Sequence, residues 1–299
     1  MRGYVVLDGR GVVALTGDDR VTFLQGLVSN DVRKVDAGCT VYAAFLTAQG
    51  KYLHDFFITQ QGEALLLDVE AARRDDLLRR LKMYKLRAQV TLTDATAEVA
   101  VVALMGADVA STLGLAPKAG ATAPFLDGLA FIDPRLPELG VRALLPLGGE
   151  GVEARLRGAG FESVPFATWD DRRLELGVPD GGRDLVPDRS ILLESNLDDL
   201  NAISWDKGCY LGQELTARTR YRGLVKKRLF PVTVDGPLPA PGTPVMLGDK
   251  EAGEVRSGVG QQALALLRLD EVRRAASEGL VLLAGESRLF PHKPAWATF

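Results

Sequence analysis

The sequence predicts an α+β fold that ends in a small β domain. Up to about residue 222, segments with strand character alternate with segments whose apolar residues repeat at helical spacing. After Gly223 the pattern changes to short strand candidates with four prolines between Pro237 and Pro244, which is typical of a small all-β domain. The chain of 299 residues is long enough for two or three domains with sizeable cores.

The first elements are predicted from turn, cap and spacing signals. Residues 4–7 and 12–15 have strand character, and the glycine-containing turn at 8–11 predicts that they pair as a hairpin. Residues 21–28 carry apolar side chains at helical spacing. Asp18 precedes them and is the candidate N-cap of this helix.

The remaining elements follow from the same two periodicities. A helix is predicted at 71–84, because Leu77, Leu78, Leu81 and Tyr84 share one face. The others are strands at 41–46, 52–59, 64–69, 88–93 and 99–104, a helix at 168–176, and β-domain strands at 230–234, 245–247, 253–259, 263–269 and 280–283.

Composition limits the classes of function. A net charge of -3 means that any nucleic-acid contact must be local. Cys39 and Cys209 lie far apart, no secretory leader is evident, and no apolar run reaches the roughly 18 residues needed to span a membrane. These features predict a cytosolic protein without a membrane span. His54 and His292 are the only histidines, so no metal site is predicted from protein ligands.

The segment Lys207-Gly208-Cys209-Tyr210-Leu211-Gly212-Gln213-Glu214, followed by Arg218, holds the strongest candidate for chemistry. Lys207 supplies a cation two residues before Cys209, and Gln213-Glu214 is predicted to open a helix. A cation and a helix N-terminus both stabilise a thiolate. The alternative, a buried structural cysteine, stays open on these residues alone.

Two further features are candidates for ligand binding. Glu194 follows the apolar run 191–193, so its carboxylate is expected to be drawn inward, where an aminopyrimidinone could bind it through two N–H groups. An ordinary surface glutamate is the stronger interpretation from spacing alone. The basic stretch 218–228 could hold phosphates or a ligand carboxylate, and a solvated loop explains it equally well.

The cysteine-bearing motif resembles the signature of the YgfZ family of folate-binding proteins. Residues 23–32 are similar to the early helix of that family, and residues 84–90 to its helix-to-strand junction. The resemblance implies the fold of the glycine-cleavage aminomethyltransferase, the T-protein, in which three domains form a ring around a tetrahydrofolate channel. It divides this chain into a folate-binding region at 1–222, made of two intertwined α+β domains of which one spans about 51–91 plus other segments, and a C-terminal β-barrel domain at 223–299.

The resemblance also implies a function. Members of the family assist the assembly or repair of iron–sulfur clusters in client enzymes, including one that thiolates tRNA, and depend on the motif cysteine. Cys209 is then the functional thiol, and Glu194 is the residue that grips the pterin. The other residues expected around tetrahydrofolate, or a derivative of it, are Lys207, Tyr210, Gln213, Arg218 and Asp55.

One departure from the T-protein pattern leaves open whether the chain is an enzyme. T-proteins carry Gly-x-x-x-Asp-Asp, whereas this chain has Gly50-Lys51-Tyr52-Leu53-His54-Asp55, with His54 in place of the first acid. Two alternatives therefore stand beside support of iron–sulfur enzymes. One is an aminomethyltransferase of the glycine-cleavage type, and the other is an RNA-binding module that uses residues 218–228.

Overall fold

The computed structural model describes residues 2–223 and 225–299, which leaves Met1 and Leu224 outside the description. The strands are β1 Gly3–Val6, β2 Arg10–Thr16, β3 Val41–Leu46, β4 Tyr52–Gln61, β5 Ala64–Glu70, β6 Thr91–Asp94, β7 Val99–Met105, β8 Thr122–Phe125, β9 Gly128–Ile132, β10 Val141–Pro146, β11 Glu162–Ser163, β12 Lys227–Asp235, β13 Pro244–Leu247, β14 Lys250–Val259, β15 Gln262–Arg268, β16 Leu282–Ala284 and β17 Ser287–Pro291.

The α-helices are α1 Arg20–Gln25, α2 Arg74–Lys85, α3 Val109–Thr112, α4 Val152–Gly158, α5 Phe166–Glu175, α6 Gly181–Asp184, α7 Gln213–Tyr221 and α8 Leu269–Glu278. Short 3-10 helices occupy Val32–Lys34, Ala71–Arg73, Pro137–Leu139 and Leu193–Ser195. In the part of the chain that the structure describes, no helix combines the length and the apolar character needed to cross a bilayer.

The chain divides into two compact units, each assembled from segments distant in sequence. The first unit comprises residues 2–46, Leu53–Trp169 and Asn201–Leu211. The second comprises Thr47–Tyr52, Asp170–Leu200 and Gly212–Phe299. A division of this kind depends on long-range contacts, which local periodicity does not reveal.

The first unit contains a six-stranded sheet with the strand order β11-β1-β7-β10-β9-β8 and a five-stranded sheet with the order β3-β4-β5-β2-β6. The strands β3 and β7 are almost entirely apolar and buried, so they read in the sequence as continuous apolar runs. Each sheet has its own apolar cluster. One is centred on Phe45, Phe56 and Leu81, and the other on Val102, Ala143 and Leu156.

The predicted hairpin of the first two strands is wrong. The turn itself forms, because the Arg10 amide donates to the Leu7 carbonyl oxygen at 2.8 Å. However, β1 pairs with β7 and β11, whereas β2 pairs with β5 and β6 in the other sheet. The turn residues dictate a local reversal of the chain, but the apolar faces of distant strands determine which partner each strand takes.

The predicted helices are present with two corrections. Asp18 does not cap α1. The helix starts after Asp19, whose carboxylate accepts a hydrogen bond from the Gln89 amide at 2.7 Å instead of capping the helix. On α2, the leucines of the predicted face are buried, but Tyr84 is 40% exposed because it lies in the last turn of the helix.

The second unit contains a closed barrel with strand order β12-β15-β14-β13-β16-β17. Its interior is lined by alternate apolar side chains, among them Val232, Val255 and Leu267. Sequence periodicity located the strands β12 to β16 but missed β17 and the helix α8. Strand β17 closes the barrel by pairing with β12, and its alternating burial was a usable signal.

Candidate functional site

The side chain of Lys207 ends among three backbone carbonyl groups near the C-terminal end of α1. Its Nζ donates to the carbonyl oxygens of Gln25 at 2.8 Å, Val28 at 2.6 Å and Asn30 at 2.7 Å. Burial lowers the pKa of Lys207 to about 8, against the opposite influence of Asp31. The ammonium form therefore predominates at pH 7, and its three N–H donors match three acceptors.

Cys209 lies between two attachment points of the same segment. Lys207 holds one side of it, and on the other side the Leu211 amide donates to the Gly26 carbonyl oxygen at 3.0 Å. The ring centroid of Tyr210 lies 5.1 Å from the Lys207 ammonium, within range of a cation–π contact. Neither cysteine forms a disulfide; Cys209 is exposed, whereas Cys39 is half-buried, and burial raises the pKa of the Cys39 thiol.

The early-helix motif also forms hydrogen bonds with the segment that precedes the cysteine. The Ser29 hydroxyl donates to the Ala202 carbonyl oxygen at 2.6 Å, and the Asn30 side-chain amide donates to the Asn201 carbonyl oxygen at 2.8 Å. Both side chains are buried. Residues 201–211 therefore run along this motif and are attached to it at several points.

Asp55 lies on β4 inside a buried polar network of the first unit. The Tyr42 hydroxyl donates to its carboxylate at 2.8 Å. Burial raises the pKa of Tyr42 well above its ordinary value, so the phenol keeps its proton. The guanidinium of Arg135 lies 5.6 Å from the Tyr42 ring centroid and pairs with Asp133 at 2.8 Å.

Tyr42 was missed by the sequence reasoning. Its signal was present, since it is a hydroxyl-bearing residue within the otherwise apolar strand β3. A buried phenol needs a hydrogen-bond partner, and that requirement points to a polar residue on a neighbouring strand.

His54, which the resemblance matches to the first acid of the T-protein pattern, faces a different environment from Asp55. Its Nε2 lies 3.0 Å from Asp76 of α2. Burial and the charge of Arg73 lower the pKa of His54 to about 4, so the imidazole is neutral at pH 7. Successive strand residues point to opposite faces, which separates His54 from the Tyr42 network.

Glu194 lies in the second unit on the 3-10 turn Leu193–Ser195. Its carboxylate is half-buried, and burial raises its pKa against the influence of Lys227, Lys51 and Arg228. Of the apolar run before it, Leu192 and Leu193 are fully buried, as the pattern predicted, whereas Ile191 is half-buried. The carboxylate therefore meets the expectation of an acid drawn inward.

Two buried side chains hold the turn that bears Glu194. Arg228 donates to the Leu193 carbonyl oxygen at 2.6 Å and forms a bidentate pair with Asp198 at 2.7 and 3.0 Å. Asn196 adopts a left-handed conformation with φ 61° and donates to the carbonyl oxygen of Leu229 at 2.7 Å. Sequence reasoning missed both residues, because nothing local distinguishes them from surface residues.

Gln213 and Glu214 open α7 as predicted, after Gly212 with φ 79°. Arg218 is exposed and pairs with Glu214 at 2.5 Å across one helical turn. In the basic stretch 218–228, Arg228 is buried, so the stretch does not present all its cations to solvent. Leu224, within this stretch, lies outside the described residues.

The predicted site residues divide between the two units. Cys209, Lys207, Tyr210 and Asp55 belong to the first, where Lys207 and Tyr210 contact each other and Asp55 belongs to the Tyr42 network. Those of the second unit are Glu194, Gln213 and Arg218. Their roles as folate ligands stay predictions.

Two protein-family models match the chain. The GCVT N-terminal domain matches residues 8–123. The CAF17 C-terminal beta-barrel domain matches residues 226–299, which contain the closed barrel. The predicted fold class, mixed α/β domains of the T-protein type followed by a C-terminal β-barrel, is confirmed.

Curated relatives match along most of their length. The mitochondrial iron–sulfur cluster assembly factor IBA57 of Mus musculus is 34% identical over 89% of this chain and 78% of its own length. The IBA57 factor of Homo sapiens is 34% identical over 91% of this chain and 80% of its own length. The mitochondrial IBA57 homologue of Pyricularia oryzae is 35% identical over 90% and 72%.

A solved structure supports the fold independently. The glycine cleavage system aminomethyltransferase T from Bartonella henselae superposes with a TM-score of 0.78. It covers 99% of this chain and 86% of its own, at 18% sequence identity. Such a likeness shows a shared fold and leaves the activity open.

These comparisons correct one prediction. The cytosolic location expected from the sequence is contradicted, because the relatives from mouse, human and Pyricularia oryzae are mitochondrial proteins. A low cysteine count indicates a reducing environment, but it does not identify the compartment.

Proposed function

The chain belongs to the IBA57 family of iron–sulfur cluster assembly factors, and on that premise we propose that it supports cluster assembly in client enzymes with a tetrahydrofolate as its bound cofactor. The exposed thiol of Cys209 is the observation that carries this proposal. An accessible thiolate is both a nucleophile and a ligand for soft metals. The predicted role in iron–sulfur assembly agrees with the family. Membership of this family favours neither the aminomethyltransferase nor the RNA-binding module.

Cys209 acts in this proposal as a ligand to iron–sulfur cargo. Iron–sulfur clusters are held by four thiolates, and the chain has two cysteines. Cys39 is half-buried and distant in sequence from Cys209. A cluster that engages Cys209 therefore takes its remaining ligands from a second protein, which makes Cys209 a point of transfer instead of permanent storage.

The folate part of the proposal rests on Glu194. A half-buried carboxylate with a raised pKa lacks full solvation and gains from two parallel N–H donors, which the aminopyrimidinone of a pterin supplies. Gln213 and Arg218, which belong to the same unit as Glu194, are proposed to border the cofactor. When bound, a tetrahydrofolate supplies a carrier for one-carbon groups. The T-protein fold supports this cofactor by analogy.

The finer parts of the proposal follow from the YgfZ-like motif. The clients include an enzyme that thiolates tRNA, as the resemblance implies. The folate-binding region extends over 1–222, with one of its domains around 51–91, and the β-barrel domain over 223–299. The barrel that begins at Lys227 supports the second boundary.

The role of Cys209 is tested by complementation. Cells that lack their own copy of the protein receive the wild type, Cys209→Ser or Cys39→Ser, and the activity of an iron–sulfur client enzyme is measured. We expect Cys209→Ser to fold normally and to lose the rescue, because a hydroxyl is a poor ligand for iron. Cys39→Ser, the matched control, should keep it. Full rescue by Cys209→Ser would show that the thiol is incidental.

The role of Glu194 is tested by calorimetric titration with 5-formyltetrahydrofolate. Loss of a charge-assisted, bidentate contact is worth about 1.5–3 kcal/mol, so Glu194→Gln should raise the Kd roughly 10- to 100-fold. Glu286→Gln, at an exposed position in the barrel, is the matched control. Equal affinity of the two variants would remove Glu194 from the site, and no binding by the wild type at millimolar ligand would refute the folate proposal.

A further inference from the structure

The early-helix motif at 23–32 has an unexplained arrangement at its C-terminal end. The backbone carbonyl groups of Gln25, Val28 and Asn30 all point toward one position. The ammonium of Lys207 occupies that point. Because Nζ donates to all three oxygens, this one side chain joins three carbonyl groups of the motif to the cysteine-bearing segment.

We propose that Lys207 is the positioning residue for Cys209, and that its ammonium fastens residues 207–211 to the carbonyl groups of the early-helix motif. This inference rests on the proposed function of Cys209 as the transfer thiol. The residue does not itself contact the cargo. It restricts the segment on one side of the thiol, while the Leu211 amide, bound to Gly26, restricts it on the other.

The chemistry of the contact explains why a lysine is used. An ammonium offers three donors from a single atom and can satisfy three convergent acceptors. A guanidinium is planar and spreads its donors over three nitrogens, so it cannot reproduce this geometry. Without the cation, three carbonyl groups, those of buried Val28 and Asn30 and half-buried Gln25, would face an apolar stem, and the segment would detach from the motif to hydrate them.

A detached segment would leave Cys209 chemically intact but mobile. Transfer of a cluster between two proteins requires that the ligands of both meet in a defined geometry, and small misplacements reduce rates strongly. Tyr210, whose ring lies beside the ammonium, would lose its contact at the same time. The expected defect is therefore one of geometry around the thiol.

The test uses Lys207→Met, which keeps the length of the aliphatic stem and removes the donors. Hydrogen exchange of the Leu211 amide reports whether the segment is fastened, and amides of the buried strand β3 report the fold of the unit. We expect Leu211 to exchange at least 10-fold faster with β3 unchanged, and rescue of an iron–sulfur client enzyme to fall at least 5-fold. Lys34→Ala, an exposed lysine next to the same motif, should match the wild type in both.

Chemical rescue separates a positioning role from a structural one. In Lys207→Ala, methylammonium ions at tens of millimolar should refill the point between the three carbonyl groups and restore slow exchange of Leu211 at least in part. This variant also serves if Lys207→Met fails to fold.

Three results would overturn the inference. They are unchanged exchange of Leu211 in Lys207→Met, fast exchange with full rescue of the client enzyme, and no response of Lys207→Ala to methylammonium. Exchange of the Leu211 amide is measured without folate or cluster. A result that overturns the role of Lys207 can therefore be told apart from one that overturns the function proposed for Cys209.

Discussion

Replacement of Arg228 by methionine tests whether the turn that bears Glu194 depends on a buried ion pair. The side chains of Arg228 and Asp198 are 7% and 15% exposed, and they are joined by two hydrogen bonds. Removal of one partner from a buried pair costs about 3–5 kcal/mol, because the remaining charge stays unpaired. The Leu193 carbonyl also loses its donor, so we place the expected loss toward the upper end of that range.

The assay is urea denaturation followed by tryptophan fluorescence, together with the titration of 5-formyltetrahydrofolate. Arg288→Met is the matched control, because Arg288 and Asp235 form a 4.0 Å pair in the same unit with side chains 64% and 66% exposed. An exposed pair contributes less than about 1 kcal/mol. We expect Arg228→Met to be the less stable by at least about 2 kcal/mol and to bind the folate more weakly. Equal stability of the two variants would refute the assignment of Arg228 as the support of this turn.

Two further predictions concern pH and backbone geometry. His54 has a folded-state pKa of about 4 against an ordinary 6.5, so between these values the unfolded chain binds the extra proton. The free energy of unfolding should fall by up to about 3 kcal/mol as the pH drops from 6.5 to 4, and titration of His54→Gln should lack this component. Gly50 has φ +78°, and an added Cβ would lie 2.6 Å from a backbone oxygen, whereas Gly62 has φ +57° and open space around it. Thermal unfolding of Gly50→Ala should therefore show a larger loss than the about 1–3 kcal/mol of strain expected for Gly62→Ala, and the reverse order would contradict the clash.

The candidate site was only partly predictable from residue patterns. The motif around Cys209 could be recognised because it combines a rare residue type with glycines and a helix start that lie within eight positions. Glu194 could be nominated because the apolar run before it indicated burial. Arg228 could not, since its role depends on partners that are distant in the chain and contribute no local signal. Tyr42 carried a local signal, a hydroxyl within an apolar strand, but its partner Asp55 is set by the pairing of strands.

The interpretation of Lys207 shows the same limit. Its spacing from Cys209 suggested a cation for the thiolate, but the structure brings three carbonyl groups of the early-helix motif to its ammonium. The sequence assigns no role to the motif at 23–32 beyond its resemblance. The structure shows that this motif binds Lys207, which is more than 170 residues away in the chain.

Local periodicity, turn residues and a compact motif were enough to predict strands β1–β7 and β12–β16, helices α1, α2 and α5, the start of α7, the terminal β domain and Cys209 as a candidate. They suffice for such features because 2-residue and 3.6-residue repeats and short motifs are properties of neighbouring positions. Strand partners, the separation of β1 from β2, the neutral His54 and the fastening of Cys209 required the folded chain. Pairing, burial and the resulting pKa values are properties of distant groups brought together, and their free energies depend on the whole surrounding structure.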